Sequence, residues 1–289
     1  MILNKCNFFS KTLLNHVDVD ILLPGVGDND CVGASLEDIY APQKPFPVLY
    51  LLHGALDDHT MWLRHTNIEE FAEKAGLAVV MPSGQNGFYT NAKYGLNYFD
   101  FITKELPLFV QKYFPVSTKR EDTYIAGPSM GGYGASKCAL RRPDLYADGR
   151  PLSLANDLSE MAAQREPLYA AFADLSGAVD PVELEPKMIA MGFGFFRYDL
   201  IWGGVENMRD TPDDPYFLAK QFAPEDVRPE AFIYCGLEDV ANYGMNCRLR
   251  DTLADNGFAV HFQDGHGLHD WEYWNRCIED FLKNTRKMR

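Results

Sequence analysis

The chain has 289 residues, 46 % apolar and 24 % charged, near the averages for globular domains. It is long enough to bury a sizeable core as one domain, residues 1–289, that carries an insertion. Twenty-seven basic residues against 41 acidic ones give a net charge of −14, which repels phosphate backbones and anionic bilayers and excludes nucleic acid and membranes as partners.

The first residues, Met1-Ile-Leu-Asn-Lys-Cys6, lack a basic segment followed by a long apolar run, so no signal peptide is expected. No stretch approaches the ~18 apolar residues of a membrane-spanning helix. Six cysteines, at 6, 31, 138, 235, 247 and 277, stand far apart without a C-x-x-C pair. They predict reduced thiols in a cytoplasmic protein. Asn7–Leu14 and Val17–Leu23 read as an antiparallel edge pair stopped by Pro24-Gly25. Residues 25–46 read as a long loop with one turn of helix.

Pro47–Leu52 is a nearly unbroken apolar run ending in His53-Gly54, the pattern of a strand covered on both faces. A helix over Asn67–Ala75 follows, then a buried strand at Leu77–Met81. Phe101–Phe114 reads as an amphipathic helix with Pro107 inside its pattern. Thr123–Ala126 is a strand entering Gly127, and Tyr133–Arg141 the helix leaving it. Later come a strand at Ala231–Cys235, a helix at Met245–Asn256, a strand at Phe258–Phe262 and a terminal helix at Trp271–Lys283. Strands alternating with helices imply an α/β class, a mostly parallel sheet with helices on both faces. Residues 143–225 interrupt the rhythm and are expected to form an inserted cap.

Gly127-Pro-Ser-Met-Gly131 matches G-x-S-x-G between a strand and a helix. That grammar places Ser129 on a sharp turn with its hydroxyl exposed and points the Met130 N–H at a developing oxyanion. A serine needs a base, and the order expected on such a sheet is serine, acid, histidine. The strand 231–235 runs into Gly236-Leu-Glu-Asp239, which offers Glu238 and Asp239; Asp239 is the favoured acid. Gly265-His-Gly-Leu-His269 offers two histidines, and His269 at the entrance to the terminal helix is favoured over His266. The loop His53-Gly-Ala-Leu56 would supply a second oxyanion donor, the N–H of Ala55 or Leu56, with His53 orienting it. His266 and His269 lack further ligands at suitable spacing, and the six-residue intervals of His53, His59 and His65 suit no helical face. No metal is expected.

At these residues the chain resembles the esterase D-like, or tributyrin-esterase-like, group of α/β-hydrolases, which includes S-formylglutathione hydrolases, feruloyl and acetyl-xylan esterases and mycolyltransferases. The resemblance rests on Tyr50–Gly54 with Trp62, Phe88–Thr90, Glu105–Pro107, Gly127–Gly134, Leu175–Ala178, Cys235–Asp239 and Gly267–Trp274. It implies the α/β-hydrolase fold and cofactor-free hydrolysis of small-molecule acyl esters by a serine carboxylesterase. Ser129 would be nucleophile, Asp239 acid and His269 base, with the N–H groups of Ala55 and Met130 as oxyanion hole. Leu56, Trp62, Phe88, Tyr89, Trp202 and Tyr216 are the candidate substrate-pocket residues, and a homo-oligomer is compatible with the reading. Two features depart from the group. Residues 148–168 look inserted, and the Ser-Gly-Leu-Thr-Cys-type loop of glutathione-specific members is absent. The alternatives are therefore a thioesterase of S-formylglutathione type, an acyltransferase on the same site, a serine peptidase, or a non-catalytic binding protein that kept the fold.

Overall fold

A computed structural model describes residues 1–27, 31–41, 44–141, 168–177, 180–194 and 196–288. Among them, eight strands form one sheet: β1 (Ile2–Ser10), β2 (Asn15–Leu23), β3 (Val48–Leu51), β4 (Ala78–Pro82), β5 (Thr123–Pro128), β6 (Ala171–Leu175), β7 (Glu230–Gly236) and β8 (Val260–Gly265). Their order is β1-β2-β4-β3-β5-β6-β7-β8. β2 is antiparallel to both β1 and β4, and every other pair is parallel. This is the mostly parallel α/β-hydrolase sheet that the sequence predicts.

β3, β4, β5 and β6 are buried at every position. Successive side chains point to opposite faces, so these strands feed two cores. Leu49, Leu51, Val79, Tyr124 and Phe232 pack with α1 (Ile68–Ala75) and with Ile278 and Phe281 near the C-terminus. Val48, Tyr50, Val80, Ile125 and Ile233 pack beneath α2 (Leu106–Tyr113), α3 (Met130–Leu140) and α5 (Tyr243–Asp255) on the other face, with α4 (Pro181–Ala190) beyond. The terminal helix, α6 (Trp271–Met288), lies against α1.

Three elements differ from the sequence reading. β1 begins at Ile2, and the turn falls at residues 11–14 rather than at Asn15-His16. The Glu105 carboxylate fixes that turn: it accepts from Ser10 Oγ at 2.6 Å, Lys11 N–H at 2.7 Å and Thr12 N–H at 2.9 Å. The expected helix 101–114 opens with a wide π-helical turn, Phe101–Glu105, before α2. Pro107 has no N–H to close an α-helical bond there, and the wider turn accommodates it. Within the expected cap 143–225, Ala171–Leu175 is a strand at the centre of the sheet. Most of the apparent insertion 148–168, and the echoing Pro143–Ala147, lie outside the described residues. No described helix is long and apolar enough to cross a membrane.

Candidate active site

In a parallel sheet every strand delivers its following loop to the same edge. Here that edge gathers His53–Leu56 after β3, Ser129 after β5, Ser176 after β6, Asp239 after β7 and His269 after β8.

Ser129 has φ 51 and ψ −121, a conformation that L-residues avoid. The turn is locked by close packing. A Cβ on Gly127 would stand 2.6 Å from the Gly131 carbonyl carbon, and one on Gly131 would stand 2.8 Å from His53 O. Ser129 N–H donates to Leu175 O at 3.1 Å, tying the turn to the end of β6. Other non-glycine residues with positive φ, Leu56, Gln85, Phe88, Tyr89 and Ser176, lie in the loops flanking this edge. Such strain persists only where the surroundings over-determine it, and it concentrates at functional sites.

The loop after β3 is held from behind. Tyr89 is fully buried. Its hydroxyl donates to His53 O at 2.8 Å and accepts from His53 N–H at 3.0 Å. His53 Nε2 accepts from Gly84 N–H at 2.8 Å, so the ring proton sits on Nδ1 and is donated to Gly54 O at 2.7 Å. Burial pushes the His53 pKa down to about 4, the hydrogen bond to Gly54 opposing it, and the ring is neutral at pH 7. Gly54 brings the loop to the serine: a Cβ there would lie 3.7 Å from Ser129 Cβ. Leu56 N–H is committed to Asn86 Oδ1 at 2.7 Å, whereas no described residue accepts from the N–H of Ala55 or of Met130. Of the two donors open in the sequence, the geometry leaves Ala55.

His53 also sets an acid limit on the fold. Its folded pKa lies below the ordinary ~6.5, so its contribution is complete above that value and is lost as pH falls toward 4. His53→Gln should destabilise the protein by about 2 kcal/mol at pH 7 through its broken hydrogen bonds. The deficit should narrow between pH 7 and pH 5 in paired thermal melts. A deficit independent of pH would mean that His53 does not carry this linkage.

Asp239 is buried, with 2 % of its side chain exposed, and its Oδ2 lies 2.8 Å from His269 Nδ1. Gly236 makes that approach possible, because a Cβ on it would lie 2.0 Å from Gly267 O. Asn242 Nδ2 donates to Asp239 Oδ1 at 2.9 Å and lies 3.2 Å from His269 Nδ1. The Trp274 ring meets the His269 ring edge-on at 5.0 Å. The second pair of candidates, Glu238 and His266, also finds itself: Glu238 Oε1 is 2.8 Å from His266 Nδ1, and Oε2 accepts from Gly267 N–H at 2.6 Å. That pair faces solvent, with His266 92 % exposed. Ser129 Oγ and His269 share no hydrogen bond in this structure. Such contacts often tighten only when substrate binds.

Of the six pocket candidates, Leu56 stands exposed at 58 %, Tyr216 is half-buried and the other four are buried. Trp62 Nε1 donates to Leu52 O at 2.8 Å, so this indole, like Tyr89, supports the loop rather than offering a free polar group. Phe88 packs edge-on against Tyr133, Phe196, Tyr198 and Trp202. Trp202 Nε1 donates to Asp213 Oδ2 at 3.2 Å, and Tyr133 OH to Asp213 O at 2.6 Å. The buried Lys137 ammonium lies 3.3 Å from Asp213 Oδ1, fastening this wall to α3. Tyr216 OH donates to Met245 O at 2.9 Å. The sequence reading missed Asn242, Trp274 and a buried carboxylate at Asp174. Asn242 alone left a trace, as a polar residue three positions after the acid.

A strained serine between strand and helix, on a sheet of this order, defines a serine hydrolase of the α/β-hydrolase fold. Residues 32–284 match the family model described as "Putative esterase", and the chain belongs to that family. It is similar to an acetyl esterase of Caldicellulosiruptor saccharolyticus, 27 % identical over all of this chain and 99 % of that protein. Among solved structures it resembles the fluorophosphonate-binding serine hydrolase FphF of Staphylococcus aureus, at 29 % identity and TM-score 0.77, covering 99 % of this chain and 98 % of that one. The S-formylglutathione hydrolase FrmB of the same organism aligns at 29 % identity and TM-score 0.75 over the same shares. The chain is thus an enzyme, a serine carboxylic ester hydrolase.

Proposed function

We propose that the chain hydrolyses short-chain acyl esters of small molecules through an acyl-enzyme on Ser129. One observation carries the reading: the strained Ser129 lies between two uncommitted N–H groups, on the same sheet edge as a buried carboxylate–imidazole pair. His269 takes the Ser129 proton as the hydroxyl attacks the ester carbonyl. Asp239, steadied by Asn242, holds the imidazole tautomer and stabilises its cation. The N–H groups of Ala55 and Met130 bear the oxyanion charge. Water, activated by His269, then releases the acid. Neither the carboxylate–imidazole pair nor the oxyanion donors need a metal or cofactor.

The short-chain preference is supported by the acetyl esterase relative and by the closed aromatic wall around Phe88. Across p-nitrophenyl esters from acetate to decanoate, kcat/KM should peak between two and about six carbons. A kcat/KM that keeps climbing from butyrate to decanoate would refute the preference. The likeness to FrmB favours a second reading, thioester hydrolysis. A glutathione thioester in the same panel tests it, and the carboxylesterase reading requires the p-nitrophenyl ester to be the better substrate. Accumulation of a transesterified product when a primary alcohol is added would identify an acyltransferase instead.

A further inference from the structure

β6 ends at a carboxylate with no place in the mechanism above. Asp174 pairs across the sheet with Gly127, on the strand that leads into Ser129, and is fully buried. Its Oδ1 accepts from Gly177 N–H at 2.5 Å and fills the space beside Gly132, where a Cβ would lie 2.5 Å from it. Its Oδ2 lies 3.0 Å from Ser136 Oγ on α3. Among the described residues no lysine, arginine or histidine forms an ion pair with it.

The protons can be counted. The Ser136 hydroxyl lies 3.0 Å from Gly132 O and 3.0 Å from Asp174 Oδ2, but carries one hydrogen. If Asp174 is ionised, one of these two oxygen–oxygen contacts has no proton. A full charge is then buried on two neutral donors, an expensive arrangement. If Asp174 carries a proton, Oδ2–H donates to Ser136, Ser136 donates to Gly132 O, and every contact is satisfied.

We propose that Asp174 is a neutral carboxylic acid and, in that form, a positioning residue that fastens the helix behind Ser129 to the β6 turn. Its role in catalysis rests on Ser129 being the nucleophile; its protonation does not. The relay Asp174–Ser136–Gly132 grips the first turns of α3. Gly177, on the other carboxyl oxygen, follows Leu175 and Ser176, and Leu175 O receives the Ser129 N–H. The same turn reaches the acid loop, because Asn246 Nδ2 donates to Gly177 O at 3.4 Å and to Asn242 O at 3.0 Å. A neutral Asp174 also leaves the His269 cation to Asp239.

The surroundings favour the proton. Burial pushes Asp174 up to about 7, against the pull of the Gly177 and Ser136 hydrogen bonds and of positive charge on His269. The other titratable groups that sense it are Cys235 on β7 and Tyr216 beyond α4, both held neutral by burial. Lys137, next to Ser136 on α3, bonds instead to Phe88 O, at 3.1 Å.

The test is a pair of substitutions in the full chain, each with two readouts. Asp174→Leu removes the relay and should lower kcat on p-nitrophenyl acetate about tenfold or more, with KM nearly unchanged, because only alignment is lost. Asp174→Asn keeps a donor to Ser136 and an acceptor for Gly177, and should recover kcat to within about threefold of wild type. The folded-state pKa of Asp174 is raised, so its contribution is present below ~3.9 and lost as pH rises through 7. Asp174→Asn should therefore melt above wild type at pH 8, with the gap closing toward pH 5. Isotope-edited infrared spectra of wild type at pH 6 should show a protonated aspartic acid band that Asp174→Asn removes. Asp174→Asn melting below wild type at pH 8, or no such band, would overturn the neutral acid. An Asp174→Asn as slow as Asp174→Leu would overturn the positioning role. Were Ser129 not the nucleophile, Ser129→Ala would stay active while the melting and infrared results stood, so the two failures are separable.

Discussion

Replacing Ser129 with alanine is expected to lower kcat for p-nitrophenyl acetate by about 10⁴-fold or more, while the protein stays folded. Alanine removes the attacking oxygen and leaves the rest of the turn intact. Ser129 N–H still bonds to Leu175 O, and the packing of Gly127 on Gly131 involves no serine side-chain atom. The residual rate would come from the oxyanion donors and binding alone. The backbone adds a second expectation. Holding an L-residue at φ 51 costs about 1–3 kcal/mol, and glycine adopts that region freely. Ser129→Gly should therefore be as inactive as Ser129→Ala but melt at the same temperature or higher, despite glycine's greater freedom in the unfolded chain. More than about a tenth of wild-type activity in either variant would remove Ser129 from the role.

The strained turn was legible because its causes are local. Gly127, Gly131 and the flanking strand and helix are all within a few residues of Ser129. Buried strands were legible for a similar reason: Val48–Leu51 and Ala78–Met81 are unbroken apolar runs, as a doubly covered strand requires. β6 was not, because Asp174 breaks the apolar pattern of Ala171–Leu175. A carboxylate inside a central strand argues against a strand unless a tertiary partner accepts it. That partner, Ser136, lies 38 residues away in the sequence. β1 was read short because Asn4 and Lys5 interrupt its start, yet an edge strand tolerates such residues on its open faces.

The substrate-side residues show the same limit. Trp62, Phe88, Tyr89 and Trp202 look alike in a sequence as large aromatics near site motifs. Their roles diverge only once each polar atom has a partner. Tyr89 and Trp62 hold the backbone of the loop that carries Ala55, and Trp202 joins a wall pinned by Asp213. The likeness of FphF, FrmB and the acetyl esterase to this chain extends over nearly its whole length. It speaks for the scaffold and the ester chemistry more than for the acyl group, which the wall and the exposed Leu56 must select.

Asp239→Asn and Glu238→Gln should separate the two acids by their environments. Each carboxylate has a histidine 2.8 Å away, so sequence adjacency and distance alone do not choose between them. Burial does. Asp239 is 2 % exposed and receives Asn242, whereas Glu238 is 45 % exposed against a histidine almost wholly in water. A charge in a buried site interacts strongly with an imidazolium, and an exposed pair is screened to little. Asparagine at 239 removes the negative charge and can present an N–H to His269 Nδ1, favouring the wrong tautomer. The kcat should fall by about 10³ to 10⁴ with KM little changed. Glutamine at 238 keeps an oxygen for Gly267 N–H, so the histidine loop stays in place and kcat should change by less than about threefold. Both variants should be assayed on p-nitrophenyl acetate beside Ser129→Ala. A crippled Glu238→Gln with a nearly normal Asp239→Asn would move the acid one residue toward the N-terminus. Two active variants would mean that the loop after β7 supplies no catalytic acid.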